Sequence, residues 1–335
     1  MPFTNDILKY KSMSIVGLEK NTGKTECLNY VLKRLQHSGK QLALTSIGID
    51  GENIDQVTLT HKPEIELFEN IIFVTSEKHY REKKLDAELL DVSSRYTALG
   101  RLVTARAKST GKVIFSGPPN SEWLRQTISD MQLHGVNTTI VDGALSRLSP
   151  GSPAVTESMI LNTGAAVSAS IHTLVRKTKF VYGLIQIEAY QSPVNDLLLR
   201  FNSGICAISN DWNITDLDIP SVFLLEKHKE KLFGNGNTLY VPGVVSDSLL
   251  NFIRVQKNIE NITLVVRDFT RMFVSQEAFN AFIKRGGTIR VLLQTKLIAV
   301  CVNPVSPEGI ILDSHKLCAT MSESLGIPVY DIKKT

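Results

Sequence analysis

Cysteine is scarce and widely spaced in this chain: Cys27, Cys206, Cys301 and Cys318 form no CxxC pair. That spacing argues against a disulfide framework and a zinc cluster, and for a reducing cytoplasm. The seven histidines are scattered without an HExxH, so no protein-built metal site is expected from them. Apolar runs are short. Nothing approaches the roughly 18 continuous apolar residues of a membrane span, and MPFTNDILKYKSMSIVG at the N-terminus lacks the apolar core of a leader. No membrane association is expected. Charge of one sign is missing too: 37 basic residues against 33 acidic leave +4 with no dense basic run. This gives no argument for a nucleic-acid partner.

What remains is ordinary globular composition, 43% hydrophobic and 21% charged over 335 residues, a length that suggests two domains. SMSIVG reads as a short buried strand, and TECLNYVLKRLQHSG carries apolar residues at helical spacing up to Gly39. QLALTSIG is a second buried strand, and TLTHKPEIELFENIIFVT suggests short antiparallel strands or a flap. SEKHYREKKLDAELLDVSSRYTAL reads as a charged surface helix, followed by strands in GRLVTARA and GKVIFSGPPN. SEWLRQTISDMQLHG is a helix and VNTTIVDG a strand ending on an acid, and the strand–helix alternation continues through SMILNTGAAV and the chain's second half. This order, with Gly23-Lys24-Thr25 of a phosphate loop standing between the first strand and the first helix, predicts an α/β fold: a P-loop nucleotide-binding domain with a mainly parallel sheet, plus a second, smaller α/β domain. The boundary falls near residue 190, giving 1–190 and a partner-docking domain 191–335.

The chemistry concentrates in SIVGLEKNTGKTECLNYVL. A phosphate loop needs a strand, a turn whose amides face the anion, then Lys and Ser/Thr opening a helix. Gly23, Lys24 and Thr25 fill the end of that pattern, while the first glycine, Gly17, stands one place early, where strict spacing meets Leu18. Gly17, Lys20, Asn21, Thr22, Gly23, Lys24 and Thr25 are the candidate nucleotide contacts. Lys24 is placed on the β/γ-phosphates and the Thr25 hydroxyl on Mg²⁺. A triphosphate-bound Mg²⁺ also wants a carboxylate at a neighbouring strand end. Asp142 is the candidate for the metal or its water, and Asp50 or Glu52 for orienting water or substrate, with Asp50 a further metal candidate. Both Asp-Gly pairs are also ordinary turn formers. Arg147 is a candidate phosphate or partner contact as well as a plain surface arginine. Thr163 and Gly164 sit at a strand end suited to a ligand rim, and Cys27 reads as a small core residue. No NKxD or SAK pair of the GTPase type is present, so ATP is the default nucleotide.

The lengthened G-x-x-x-x-x-G-K-T resembles the loop of dethiobiotin synthetases and related amide ligases, and KNTGKT resembles that of molybdopterin-guanine-dinucleotide accessory GTPases. The ligase family follows its second strand with a Lys-Pro pair, where this chain has SIGIDGE. GLEKNTGKT, LTSIGIDGE, ARAKSTGKVIFSGPPNS, IVDGALSRLSP, ILNTGAAV and VNPVSPEGIILDSHKL…PVYDIK, in this order, resemble the smaller accessory subunit of reactivating factors for adenosylcobalamin-dependent lysine 5,6-aminomutase and ornithine aminomutase. The resemblance spans nearly the whole chain. It implies an ATP-dependent helper that releases damaged cofactor from the mutase, acting with a second, MutS-like ATPase subunit. The DSHKLC stretch echoes a cobalamin-binding D-x-H-x-x-G, but Cys318 replaces the glycine, and His315 reads as a solvated helix residue. The competing readings are a self-contained ligase or small-molecule kinase, and a nucleotide-binding scaffold without turnover.

Overall fold

The computed structural model describes residues 2–48, 65–143, 151–219, 225, 229–234 and 236–334. The chain forms two compact units, Met1–Lys179 with Lys296–Thr335, and Phe180–Thr295.

The first unit is built on a nine-stranded sheet. Its strands run, in order across the sheet, Val329–Asp331, Lys296–Asn303, Ser158–Gly164, Ser12–Gly17, Thr138–Asp142, Leu42–Ser46, Ile72–Ser76, Gly100–Ala107 and Ala87–Thr97. The first seven are mutually parallel and the last two add antiparallel at one edge. Strands covered on both faces need apolar side chains on both, and Ser12–Gly17, Leu42–Ser46 and Ser158–Gly164 are buried throughout.

Strand alternation assigns the two faces. Met13, Ile15, Leu42, Leu44, Ile140 and Ile160 pack with Cys27, Leu28, Val31, Leu32 and Leu35 of the helix Lys24–Leu35. On the other face Val141 and Ile47 pack with Leu124 and Ile128 of the helix Ser121–Leu133, while Ala43, Ile72 and Val74 meet Trp123 and Met131. The sheet is a middle layer between helices, as strand–helix alternation requires.

The second unit is a separate α/β body. Its five-stranded sheet runs Ile214–Asp216, Cys206–Ile208, Thr238–Val241, Thr263–Val266, Thr288–Val291. The first two pairings are antiparallel and the last two parallel. The amphipathic helices Asp247–Arg254 and Gln276–Lys284 fall in the two parallel crossovers. Cys206, Ile208, Tyr240, Val265 and Leu292 fill its core with Leu198. Burial there pushes the Cys206 thiol up to about 11 and the Tyr240 phenol up to about 12.

Two expectations differ from this architecture. A single division near residue 190 assigns 296–335 to the second body, yet Lys296–Asn303 pairs in parallel with Ser158–Gly164 and carries Val329–Asp331 beside it. The observed division instead falls between Lys179 and Phe180, inside the helix Ile171–Ile185. The stretch expected as a charged helix is helical only over Glu77–Arg81, after which Ala87–Thr97 is an edge strand. Its partner Gly100–Ala107 pairs with it antiparallel, with register shifts between Leu89 and Asp91 and between Val92 and Tyr96, and this tertiary pairing outweighs the modest helix propensity of Glu, Lys and Leu. At the hairpin end, the Thr97 hydroxyl donates to the Gly100 carbonyl at 2.7 Å. Among the described residues no helix is long and apolar enough to cross a membrane.

Candidate functional site

The turn between Ser12–Gly17 and Lys24–Leu35 is shaped by close approaches. A Cβ on Gly17 would lie 2.2 Å from Thr22 Oγ1, 3.2 Å from the Glu19 carbonyl and 3.1 Å from Lys24 Cγ. The stem of Lys24 therefore folds back over the root of the turn. Gly23 has φ +87°, and a Cβ there would meet Ile332 Cδ1 at 2.4 Å. Asn21 also holds a left-handed conformation, φ 61°, which asparagine tolerates better than most residues.

The extra residue of the lengthened spacing has a structural account. The Leu18 amide donates to the Asn162 carbonyl at 2.8 Å, continuing the ladder one residue past Gly17. The Thr22 hydroxyl then closes a turn onto the Glu19 carbonyl at 2.9 Å. Thr22 is fully buried, and its hydroxyl is spent on the Glu19 carbonyl. Lys20 is exposed at the tip, and Lys24 and Thr25 are half-buried in the first helical turn.

No side chain caps the helix Lys24–Leu35. Among the described residues, no acceptor takes a hydrogen bond from the amides of Asn21, Thr22, Gly23 or Thr25. A helix N-terminus with unspent amides and a 12-residue body behind it favours an anion through donors and dipole together. The flanks carry two half-exposed ion pairs, Lys177 to Glu19 at 3.6 Å and Lys333 to Glu26 at 3.1 Å.

Asp142 ends the strand immediately beside Ser12–Gly17, in register with Ile15 on one side and Ser46 on the other. Alternation puts Gly17, Asp142, Ser46 and Asn162 on the face that carries the helix Lys24–Leu35. The structure thus brings Gly17, Lys20, Asn21, Thr22, Gly23, Lys24 and Thr25 into one turn, with Asp142 at the adjoining strand end. Asp50, Glu52 and Arg147 lie outside the described residues.

Thr163 and Gly164 are not part of this group. Thr163 points to the opposite face, fully buried, with its hydroxyl 3.1 Å from that of Thr178. A Cβ on Gly164 would meet the Asn303 carbonyl at 2.1 Å, so both residues serve strand packing. His315 is exposed on the helix Ser314–Leu325, and Cys318 on the same helix is half-buried. Cys27 is buried with its sulfur 4.0 Å from that of Cys301. Contact with Cys27, together with burial, raises the Cys301 thiol well above its usual range.

Two site residues escape a motif search. Ser46 and Asn162 are buried at strand ends on the loop's face, and neither Ser46 Oγ nor Asn162 Oδ1 has a hydrogen-bond partner among the described residues. The signal for Ser46 is period-two alternation in LALTS, where Leu42 and Leu44 mark the face. No protein-family model matches the chain, and no curated protein or solved structure matches it.

Proposed function

We propose that this chain is a P-loop nucleotide-binding protein that receives the phosphates of ATP on the turn Gly17–Thr25. The observation that carries the reading is the set of amides at Asn21, Thr22, Gly23 and Thr25 without an acceptor among the described residues. They stand at an uncapped helix start on the carboxyl edge of a parallel sheet, where open α/β sheets bind ligands. Gly17 and Gly23 fit the same reading, because each occupies a place a side chain would fill. Lys24 supplies the cation for the β/γ-phosphates. Thr25 and Asp142 are the residues that would hold Mg²⁺, which neutralises phosphate charge when bound.

For the use of the nucleotide we propose a partner-directed ATPase, an accessory protein that reactivates a cobalamin-dependent aminomutase together with a MutS-like ATPase subunit. The order of motifs along the chain supports this choice. The missing Lys-Pro pair after the second strand weighs against a dethiobiotin-synthetase-like ligase, and a scaffold without turnover is separated by assay. Nucleotide occupancy then acts by favouring one of two partner-bound states.

Calorimetric titration of ATP against wild type and Lys24→Ala tests the site. Expected is saturable binding by wild type and a loss of about 100-fold or more in the variant, in line with removal of a charge-assisted phosphate contact. Equal affinity in the two proteins removes the site. Co-expression with candidate aminomutases, with and without ATP, tests the partner; failure to associate with any of them removes that part alone.

A further inference from the structure

Ser46 is 4% exposed, and its hydroxyl has no hydrogen-bond partner among the described residues. A buried hydroxyl left unmatched carries a desolvation cost that evolution ordinarily removes with alanine. Its place in the fold suggests what the group is kept for. Ser46 stands in register with Asp142, which stands in register with Ile15, two residues before Gly17. Side chains at register partners on one face of neighbouring strands lie about 5 Å apart. Oxygens carried on such neighbours are close enough in the fold to share one water.

The backbone around Ser46 is held on both sides. The Ile47 amide donates to the Asp142 carbonyl at 3.3 Å, and the Gly48 amide to the Pro118 carbonyl at 2.7 Å. The Gly117 amide donates back to the Gly48 carbonyl at 3.1 Å. A Cβ on Gly117 would come within 1.7 Å of the Ser46 carbonyl, so segment 116–118 lies directly against this strand end. A strand end whose backbone is fixed in this way sets the place of the Ser46 side chain before any ligand arrives.

We propose that Ser46 is a positioning residue that accepts a hydrogen bond from a water in the hydration shell of the nucleotide's Mg²⁺, beside Asp142. The inference rests on the nucleotide reading above. Mg²⁺ sheds its waters reluctantly and keeps several when bound to phosphates. Such waters are strong donors and need fixed acceptors. Asp142 offers a carboxylate and Ser46 a hydroxyl lone pair. Burial of Ser46 suits a water, not the nucleotide itself, as its partner.

The test is the affinity for a fluorescent ATP analogue measured with Mg²⁺ and again with EDTA, together with the melting temperature of the ligand-free protein. In Ser46→Ala the ratio of the two affinities falls by about tenfold, the value of one hydrogen bond to a charged partner, and the ligand-free melting temperature does not fall. Ser46→Cys, close in volume but a poor hydrogen-bonding group, gives the same loss. An unchanged ratio in both variants overturns the inference, as does a markedly lower melting temperature in Ser46→Ala, which would reveal a structural partner. Wild type that binds the analogue equally with and without Mg²⁺ also overturns it while leaving the nucleotide site standing. Wild type that binds no nucleotide under either condition overturns the nucleotide reading itself.

Discussion

Gly17→Ala is the sharpest probe of how the turn is built. Gly17 is not held by an unusual backbone angle, so the effect of alanine is purely steric. The added methyl falls 2.2 Å from Thr22 Oγ1, well inside contact distance, and 3.2 Å from the Glu19 carbonyl. Thr22 must move, which breaks its 2.9 Å hydrogen bond to Glu19 and leaves a fully buried hydroxyl unmatched. Loss of the bond and its desolvation residue together cost about 2–3 kcal/mol. For a body of this size that corresponds to a fall in melting temperature of roughly 4–12 °C. The same displacement moves the amides of Asn21 to Thr25, so ATP affinity falls as well. Gly183→Ala is the matched control, because nothing lies within 4 Å of its added Cβ and it sits in the helix Ile171–Ile185. That variant is expected to gain about 0.5–1 kcal/mol from helix propensity. Calorimetric melting and ATP titration read both proteins. A Gly17→Ala protein that melts and binds like wild type would refute the packing described for this turn.

Other predictions are independent of that one. Asp142→Asn is expected to weaken Mg²⁺-dependent hydrolysis more than nucleotide binding in EDTA; equal loss of both would point to a disturbed strand instead. Thr22→Val removes only the hydroxyl that closes the turn and is expected to cost about 1 kcal/mol in urea denaturation, with no change contradicting the assigned hydrogen bond. His79 is buried against Ser116 Oγ at 2.9 Å, and burial lowers its pKa below the usual 6.5 despite the opposing pull of Glu82. The unfolded chain therefore takes up the proton more readily than the folded one. The His79 contribution is fully present above about pH 6.5 and is lost as pH falls below it. Urea denaturation between pH 7.5 and pH 5 is expected to show a flatter profile in His79→Gln; an identical slope would exclude the histidine.

Much of the loop was legible in the sequence, because its determinants are local. A short apolar strand, a glycine at each end of the turn and Lys-Thr opening a helix of period 3.6 all sit within 24 residues of Ser12, the helix ending at Leu35. Asp142 was legible for the same reason, as the acid ending an apolar run. The distribution of strands between two sheets was not. KLIAVCVN is equally suited to a parallel position in either sheet, and only long-range pairing with Ser158–Gly164 assigns it to the first. The edge strand Ala87–Thr97 was misread because an exposed edge tolerates charges and so mimics a solvated helix. Thr163 looked like a rim residue from its place at a strand end, but one step of alternation turns it toward Thr178. Ser46 carries no motif, and its significance emerges only from its register with Asp142.

Hydrogen–deuterium exchange over residues 17–25, with and without saturating Mg²⁺–ATP, tests the central claim most directly. The account predicts strong slowing of exchange at the amides of Asn21, Thr22, Gly23 and Thr25 when the nucleotide binds. Nucleotide binding that leaves exchange across this turn unchanged would contradict it.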